Sequence, residues 1–329
     1  MALLISRADV ASVLTMKECI SMVEDAFAQL ARGETVMPQR VAFRVEKHHG
    51  LFLGMPAYIG GGMDALGLKV VTVYPDNPKK HKKPTIFGTL ILLDPETGEC
   101  RAIMDAGYLT AVRTGAASGV ATKYMARKNA KTCALFGAGV QARKQIEAVH
   151  LVRPLDTVWV IDPDDDARDR FAKEMGDEME ITVVPTSDVE AAVRAADIVV
   201  TASSSPTPVF DGDWLKPGTH INNIGSHSPG ARELDTATVK RSYYVADLKE
   251  ASLAEAGDIL IPIQEGAVTE DHIVAGLGEV VIGEKPGRKS EEQITLFKSC
   301  GLAIQDISSA MAVYKAAVEK GVGTEIQLS

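Results

Sequence analysis

The segment Gly137-Ala138-Gly139-Val140-Gln141-Ala142 has two glycines one residue apart and an alanine three further on. It follows the apolar run TCALF and opens the amphipathic stretch QARKQIEAVHLV, the setting in which such a turn binds a dinucleotide. The first glycine permits a tight turn. The second, Gly139, lets a pyrophosphate approach the backbone, and the small third residue lets helix and strand pack. The start of the helix then offers unpaired N–H groups and the positive end of its dipole. The next apolar run, TVWVID, ends in Asp162. A carboxylate there accepts hydrogen bonds from the adenosine ribose and repels a 2′-phosphate, which favours NAD over NADP. Asp164, Asp165 and Asp166 add to that preference. The competing reading is a plain glycine turn with a surface aspartate.

A dinucleotide requires a substrate pocket at the carboxyl ends of the strands. The sequence places Thr201-Ala202-Ser203 and Ile224-Gly225-Ser226-His227 at such ends. Small residues there let a cofactor lie close, and His227 is a titratable group beside it or a cap for its loop. Arg40 and Lys69 lie on or beside apolar strands, where charge is costly unless paired. Arg113 lies within the Ala-rich stretch GYLTAVRTGAASG. An anionic substrate such as an amino-acid carboxylate would pair these cations, and arginine suits bidentate carboxylate binding. A lysine with a lowered pKa can act as acid and base. Internal salt bridges are the alternative for each cation.

The elements that must hold these residues fall into two grammars. The first 40 residues read as helix, with Val10, Val13, Leu14, Ile20, Val23, Ala26, Phe27 and Leu30 at helical spacing, Ser6 and Thr15 as N-caps and Gly33 as a stop. From 41 to 104 short apolar runs broken by Gly and Pro predict a mostly antiparallel or mixed sheet. A helix is expected from about Gly107 to Arg127, long enough to bridge two domains. From 130 onward strand and helix alternate through YYVAD, which reads as a doubly wound parallel sheet. The tail from Glu291 to Lys320 reads as helical and returns to the first domain. The fold class is therefore α/β, a Rossmann sheet plus a discontinuous α/β domain. The expected boundaries are 1–115 with 301–329 for the discontinuous domain, and 116–300 for the Rossmann domain.

Bulk properties narrow the function classes. The chain has 329 residues, a formal net charge of −9 and an ordinary globular composition. An acidic balance argues against nucleic acid as a partner. The basic run Lys79-Lys80-His81-Lys82-Lys83 reads as a solvated loop. No apolar stretch has the length of a membrane span, and the N-terminus lacks the apolar core of a secretory signal. Cys19, Cys100, Cys133 and Cys300 lie far apart, without metal-ligand or disulfide spacing, which fits a reducing cytoplasm.

Several motifs together resemble the ornithine cyclodeaminase and mu-crystallin family, and within it the archaeal-type alanine dehydrogenases. They are GLKVVTVYPDNP, DPETGECRAIMDAGYLTAVRTGAASGVATKYMARK, GAGVQA, INNIGSHSPGARELD and ITLFKSCGLAIQD. The resemblance implies a homodimer built by the discontinuous domain and an NAD-binding Rossmann domain. It implies that Arg40 and Lys69 bind the substrate carboxylate, with Lys69 also the proton donor and acceptor. It implies that Thr85 and Arg113 reach the cofactor phosphates, Arg113 also lying near substrate. Val140, Gln141, Asp162, Thr201, Gly225 and Ser299 match cofactor-contact positions, and Gly137, Gly139, Ala202 and Ile224 complete the expected cofactor set. The implied reaction passes hydride between the substrate α-carbon and nicotinamide. The small α-amino or α-imino acid acted on is alanine with pyruvate first, or a linear or cyclic imino acid. A cyclodeaminase that uses NAD catalytically and a non-catalytic binding protein are the alternatives. His227 stands where cyclodeaminases carry an aspartate, which weighs against a distal ammonium group. Ala231 stands where they and the alanine dehydrogenases carry a cofactor-binding lysine, next to Arg232.

Overall fold

A computed structural model describes residues 1–328. The chain forms two compact units, residues 1–113 with 302–328 and residues 114–301. In chain order the first unit contains β1 (Ala2–Ile5), α1 (Arg7–Val13), α2 (Met16–Ala31), β2 (Thr35–Val36), β3 (Val41–Val45), β4 (Gly50–Ile59), β5 (Ala65–Val73), α3 (Asn77–His81), β6 (Ile86–Leu93) and β7 (Cys100–Asp105). Helix α4 (Gly107–Met125) carries the chain out of the first unit, which ends at Arg113 within that helix.

The second unit continues with β8 (Thr132–Phe136), α5 (Val140–Val152), β9 (Thr157–Ile161), α6 (Asp165–Met179), β10 (Thr182–Pro185), α7 (Val189–Ala195), β11 (Ile198–Thr201), β12 (His220–Asn223), α8 (Thr236–Arg241) and β13 (Tyr243–Ala246). It closes with α9 (Lys249–Glu255), α10 (Gly257–Gln264), β14 (Ile273–Gly276), α11 (Leu277–Val281) and β15 (Thr295–Lys298). Finally α12 (Ala303–Lys320) and β16 (Thr324–Ile326) rejoin the first unit.

The sheet of the second unit runs β10-β9-β8-β11-β12-β15-β13-β14, with every pairing parallel. Helices cover both faces. On one, Ile146 and Val149 of α5 and Phe171 and Met175 of α6 pack on Cys133, Leu135, Val158 and Val160. On the other, Val193, Val239 and Ile259 pack on Ala134, Phe136, Val199 and Ile221. Adjacent residues of β8 thus feed opposite cores, which is why these strands read as unbroken apolar runs. The strand order reverses between β8 and β11, and such a switch point opens a ligand crevice at the carboxyl ends.

The sheet of the first unit runs β16-β1-β7-β6-β5-β4-β2, with β3 also on β4. It is antiparallel except for the β1–β7 pair, a mixed sheet as expected. One face is closed by α1, α2 and α12 and carries the buried Met55, Ala57, Lys69, Leu90 and Met104. The opposite face is apolar and half-exposed. Phe43, Phe52, Thr72 and Phe87 line up across four strands in register, and the rings of Phe43 and Phe52 stack at 4.7 Å.

The structure revises three readings of the sequence. Residues 2–5 are a strand that precedes the two N-terminal helices. Residues 295–298, read with the helical tail, are a strand lodged between β12 and β13. Four residues, of which only Leu296 and Phe297 are apolar, are too few to display a period, so they read as part of the helical run behind them. The basic run expected as a loop begins in the single turn of α3, and its lysines are exposed. The capping expectations hold: Ser6 and Thr15 each form a reciprocal capping box, and Gly33 follows α2 with φ +73. Thr15→Ala removes the cap at the start of α2 and is expected to lower stability by about 1 kcal/mol, read as an earlier urea midpoint with unchanged slope.

Candidate active site

In the first unit the register of β5 turns Lys69 onto the buried face, opposite Met55 and Leu90. It is 1% exposed. Its ammonium lies 2.6 Å from Oδ2 of Asp306, in the first turn of α12. Arg113 donates from Nε to the other oxygen of Asp306 at 2.8 Å, and from Nη1 to Gln305 at 2.6 Å. Arg40, half-buried just before β3, is close enough to act electrostatically on Lys69. The structure therefore brings together all three cations singled out in the sequence, and adds a carboxylate between two of them.

Burial is the largest influence on Lys69 and lowers its pKa from 10.5 to about 8. Asp306 opposes that shift, while Arg113 and Arg40 add to it. A lysine balanced in this way can hold or release a proton near neutral pH. Asp306 and Gln305 were not singled out as functional, although both lie in the motif ITLFKSCGLAIQD. A single acid on an apolar helix face carries no spacing signal, and its partners are 193 and 237 residues away in the chain, as the positions 113, 69 and 306 require.

In the second unit the glycine turn has the geometry that a dinucleotide requires. Gly137 has φ +104, and a Cβ there would lie 2.6 Å from the Ala202 carbonyl oxygen. Gly139 is exposed, with no atom within 4 Å of where its Cβ would be, so the outer face of the turn is open. Helix α5 starts there without a side-chain cap, and Val140 is exposed. Gln141 has a buried Oε1 that no described group satisfies. Asp162 at the tip of β9 accepts the Ala138 N–H on Oδ2 and the Asp164 N–H on Oδ1, both at 2.9 Å. Its carboxylate is thus held against the turn by main-chain donors. Uncapped N–H groups, open space above the second glycine and a fixed acid at the next strand end fit the pyrophosphate and ribose of NAD.

The expected strand-end residues are present, but two hydroxyls are turned inward. Thr201 is fully buried and donates to Glu233 at 2.9 Å. Ser299 donates to Asp247 at 3.1 Å, and that carboxylate also accepts the N–H groups of Cys300 and Gly301. Ala202 and Gly225 are half-buried and Ile224 is buried after β11 and β12. His227 is exposed in the loop after β12. Thr85 precedes β6, its carbonyl accepting the Tyr74 N–H. Arg232 pairs with Glu265 at 3.1 Å. Among the described residues, no group of His, Cys, Asp and Glu could hold a metal ion, no helix is long and apolar enough to cross a membrane, and all four cysteines are free.

The model of the ornithine cyclodeaminase/mu-crystallin family matches residues 2–321. A Delta(1)-pyrroline-2-carboxylate reductase from Bacillus cereus is 40% identical over 326 residues, 99% of each chain. The structure of Delta(1)-pyrroline-2-carboxylate reductase from Thermococcus litoralis, in complex with NADH and L-proline, superposes with a TM-score of 0.94 at 45% identity, covering 98% of this chain and 100% of that one. An archaeal alanine dehydrogenase dimer with bound NAD superposes with a TM-score of 0.93 at 38% identity, covering 100% and 99%. With a dinucleotide turn in one unit and a buried lysine among arginines in the other, this chain belongs to the ornithine cyclodeaminase/mu-crystallin family.

Proposed function

We propose that this protein is an NAD-dependent oxidoreductase acting on the C–N bond of a small α-amino or α-imino acid, with a five-membered cyclic imino acid as its first substrate. The observation that carries the reading is the buried Lys69, tuned between Asp306 and two arginines. The relatives at 40% and 45% identity named for pyrroline-2-carboxylate support the cyclic substrate. Alanine with pyruvate is the second pair, supported by the alanine dehydrogenase at 38%.

The first unit is the substrate and dimerisation domain, and the second is the NAD-binding domain. Arg40 and Lys69 take the substrate carboxylate, with Arg113 also near the substrate. The bonds from Arg113 to Asp306 and Gln305 favour this duty over contact with the cofactor phosphates. Gly137, Gly139, Val140 and Gln141 would hold the pyrophosphate, with Thr85 as a further contact, and Asp162 would hold the adenosine ribose. Ala202, Ile224 and Gly225 would receive the nicotinamide half, with Thr201 and Ser299 contributing their main chains. NAD, when bound, gives or takes the hydride at the substrate α-carbon. In reduction the Lys69 ammonium donates a proton to the imine nitrogen; in oxidation the neutral amine accepts one. His227 is the second titratable group on the substrate side.

The test is NADH absorbance with the cyclic imino acid, with pyruvate plus ammonium, and in reverse with NAD and proline or alanine. Net NADH consumption is expected. Ammonia released from ornithine without a net NADH change would establish the lyase instead, and ligand binding without turnover would establish a binding protein. Reduction needs protonated Lys69, so its rate should fall as pH rises through about 8, the value to which burial lowers this lysine, while oxidation should rise. Asp306 raises that value, so Asp306→Asn should move both midpoints to lower pH. Profiles that do not move would remove Lys69 from the acid–base role. Asp162→Ala is expected to weaken NAD binding about tenfold and to relax discrimination against NADP, one charged hydrogen-bond partner being worth about 1.5–3 kcal/mol; titration with both dinucleotides checks this.

The open apolar sheet face favours a homodimer. On this face Val41, Phe43 and Phe87 are all about half-exposed or more, and large apolar patches mark association surfaces. Phe43→Asp is expected to halve the mass measured by light scattering. An unchanged mass would place the interface elsewhere.

A further inference from the structure

Glu233, in the loop after β12, is fully buried, and its carboxylate gathers donors from two strand ends. Oε1 accepts the Ser203 N–H at 2.8 Å and the Ser203 hydroxyl at 2.7 Å. Oε2 accepts the Thr201 hydroxyl at 2.9 Å, the Asn223 amide at 3.1 Å, the Gly225 N–H at 2.8 Å and the Ser226 N–H at 3.3 Å. One side chain therefore ties the segment after β11 to the segment after β12.

Its own main chain is anchored as firmly. The Glu233 N–H donates to Asp258 Oδ1 at 2.8 Å. The other Asp258 oxygen takes Lys298 Nζ at 2.8 Å, both groups being fully buried. Lys298 also donates to the Ser226 carbonyl. Burial pushes the Glu233 carboxyl up, while Ser203 and the charge of Lys298 pull it down. The three N–H donors and the Asn223 amide fix both oxygens as acceptors.

The tied segments press on the glycine turn. A Cβ on Gly137 would lie 2.6 Å from the Ala202 carbonyl oxygen, and one on Gly225 would lie 2.2 Å from the Ser203 carbonyl oxygen and 2.5 Å from Glu233 Oε1. The ends of β8, β11 and β12 thus form one close-packed ledge. In a doubly wound sheet the first mononucleotide half takes the adenylate, and the second half, here from β11 onward, takes the other nucleotide.

We propose that Glu233 is a positioning residue that sets this ledge for the nicotinamide half of the cofactor. The inference rests on the NAD reading above. A hydrocarbon side chain would fill the space without burying a charge, but an ionised carboxylate accepts at both oxygens and carries no hydrogen of its own. It alone can receive main-chain donors from both loops at once. Glutamine keeps the volume and turns an N–H toward one set of donors.

The test is calorimetric titration of the full chain with ADP, which carries the adenylate half, and with NADH. Glu233→Gln is expected to bind ADP within twofold of the wild type and NADH at least tenfold more weakly, with the melting temperature recorded alongside. Unchanged NADH binding, or equal loss of ADP and NADH, would overturn the proposal, since a general loosening of the fold does not separate the two ligands. Ser203→Ala removes one donor and leaves the charge otherwise satisfied, so it decides the matter if Glu233→Gln does not fold. A severalfold loss confined to NADH supports the assignment, and no loss overturns it. A wild-type protein that binds neither ADP nor NADH would instead refute the NAD reading itself.

Discussion

Asp306 puts one negative charge, wholly out of water, against two cations. The arrangement is costly to make and costly to break. Removing one partner of a buried pair typically costs about 3–5 kcal/mol, because the other charge is left unpaired. The first unit is arranged around meeting that demand. Strand β5 supplies Lys69, the last residue of the unit before the chain departs supplies Arg113, and α12, after the whole second unit, supplies Asp306 with Gln305 beside it. The returning helix thus supplies the carboxylate that pairs both buried cations.

The second unit solves a related problem with its own acids. Parallel strands end in loops whose N–H groups have lost their ladder partners, and buried donors need acceptors. Asp162 takes those of the glycine turn, Glu233 those after β11 and β12, and Asp247 those after β15. Carboxylates suit this task because each oxygen accepts several donors. A rim built in this way leaves the uncapped start of α5 and the space above Gly139 open.

The legibility of the chain followed the range of the interactions concerned. The N-caps at Ser6 and Thr15, the strand–turn–helix around Gly137 and the acid at Asp162 rest on contacts within one or two elements, and each was visible in the spacing. Strand β15 was not, because four residues with two apolar side chains are too short to show a period distinct from the helix that follows. Glu233, within INNIGSHSPGARELD, carries no such signal, since its six bonds reach residues 7 to 32 positions away and nothing in its immediate neighbours distinguishes it from a surface acid. The cations Arg40, Lys69 and Arg113 were recognisable as anomalies, charges set in apolar surroundings, without any indication of what balanced them.

The sequence by itself determined the two grammars of the chain, the dinucleotide turn with its acid, and three cations awaiting an anion. These follow from periodicity, steric freedom and the cost of burying charge, all of which act locally. Tertiary structure decided that Asp306 pairs with Lys69 and Arg113, that a short strand lies between β12 and β13 in the parallel sheet, and that Glu233 joins two loop segments. Each depends on bringing together residues far apart in the chain, and the Coulombic and hydrogen-bond energies involved act over a few ångströms of space, whatever the distance along the sequence.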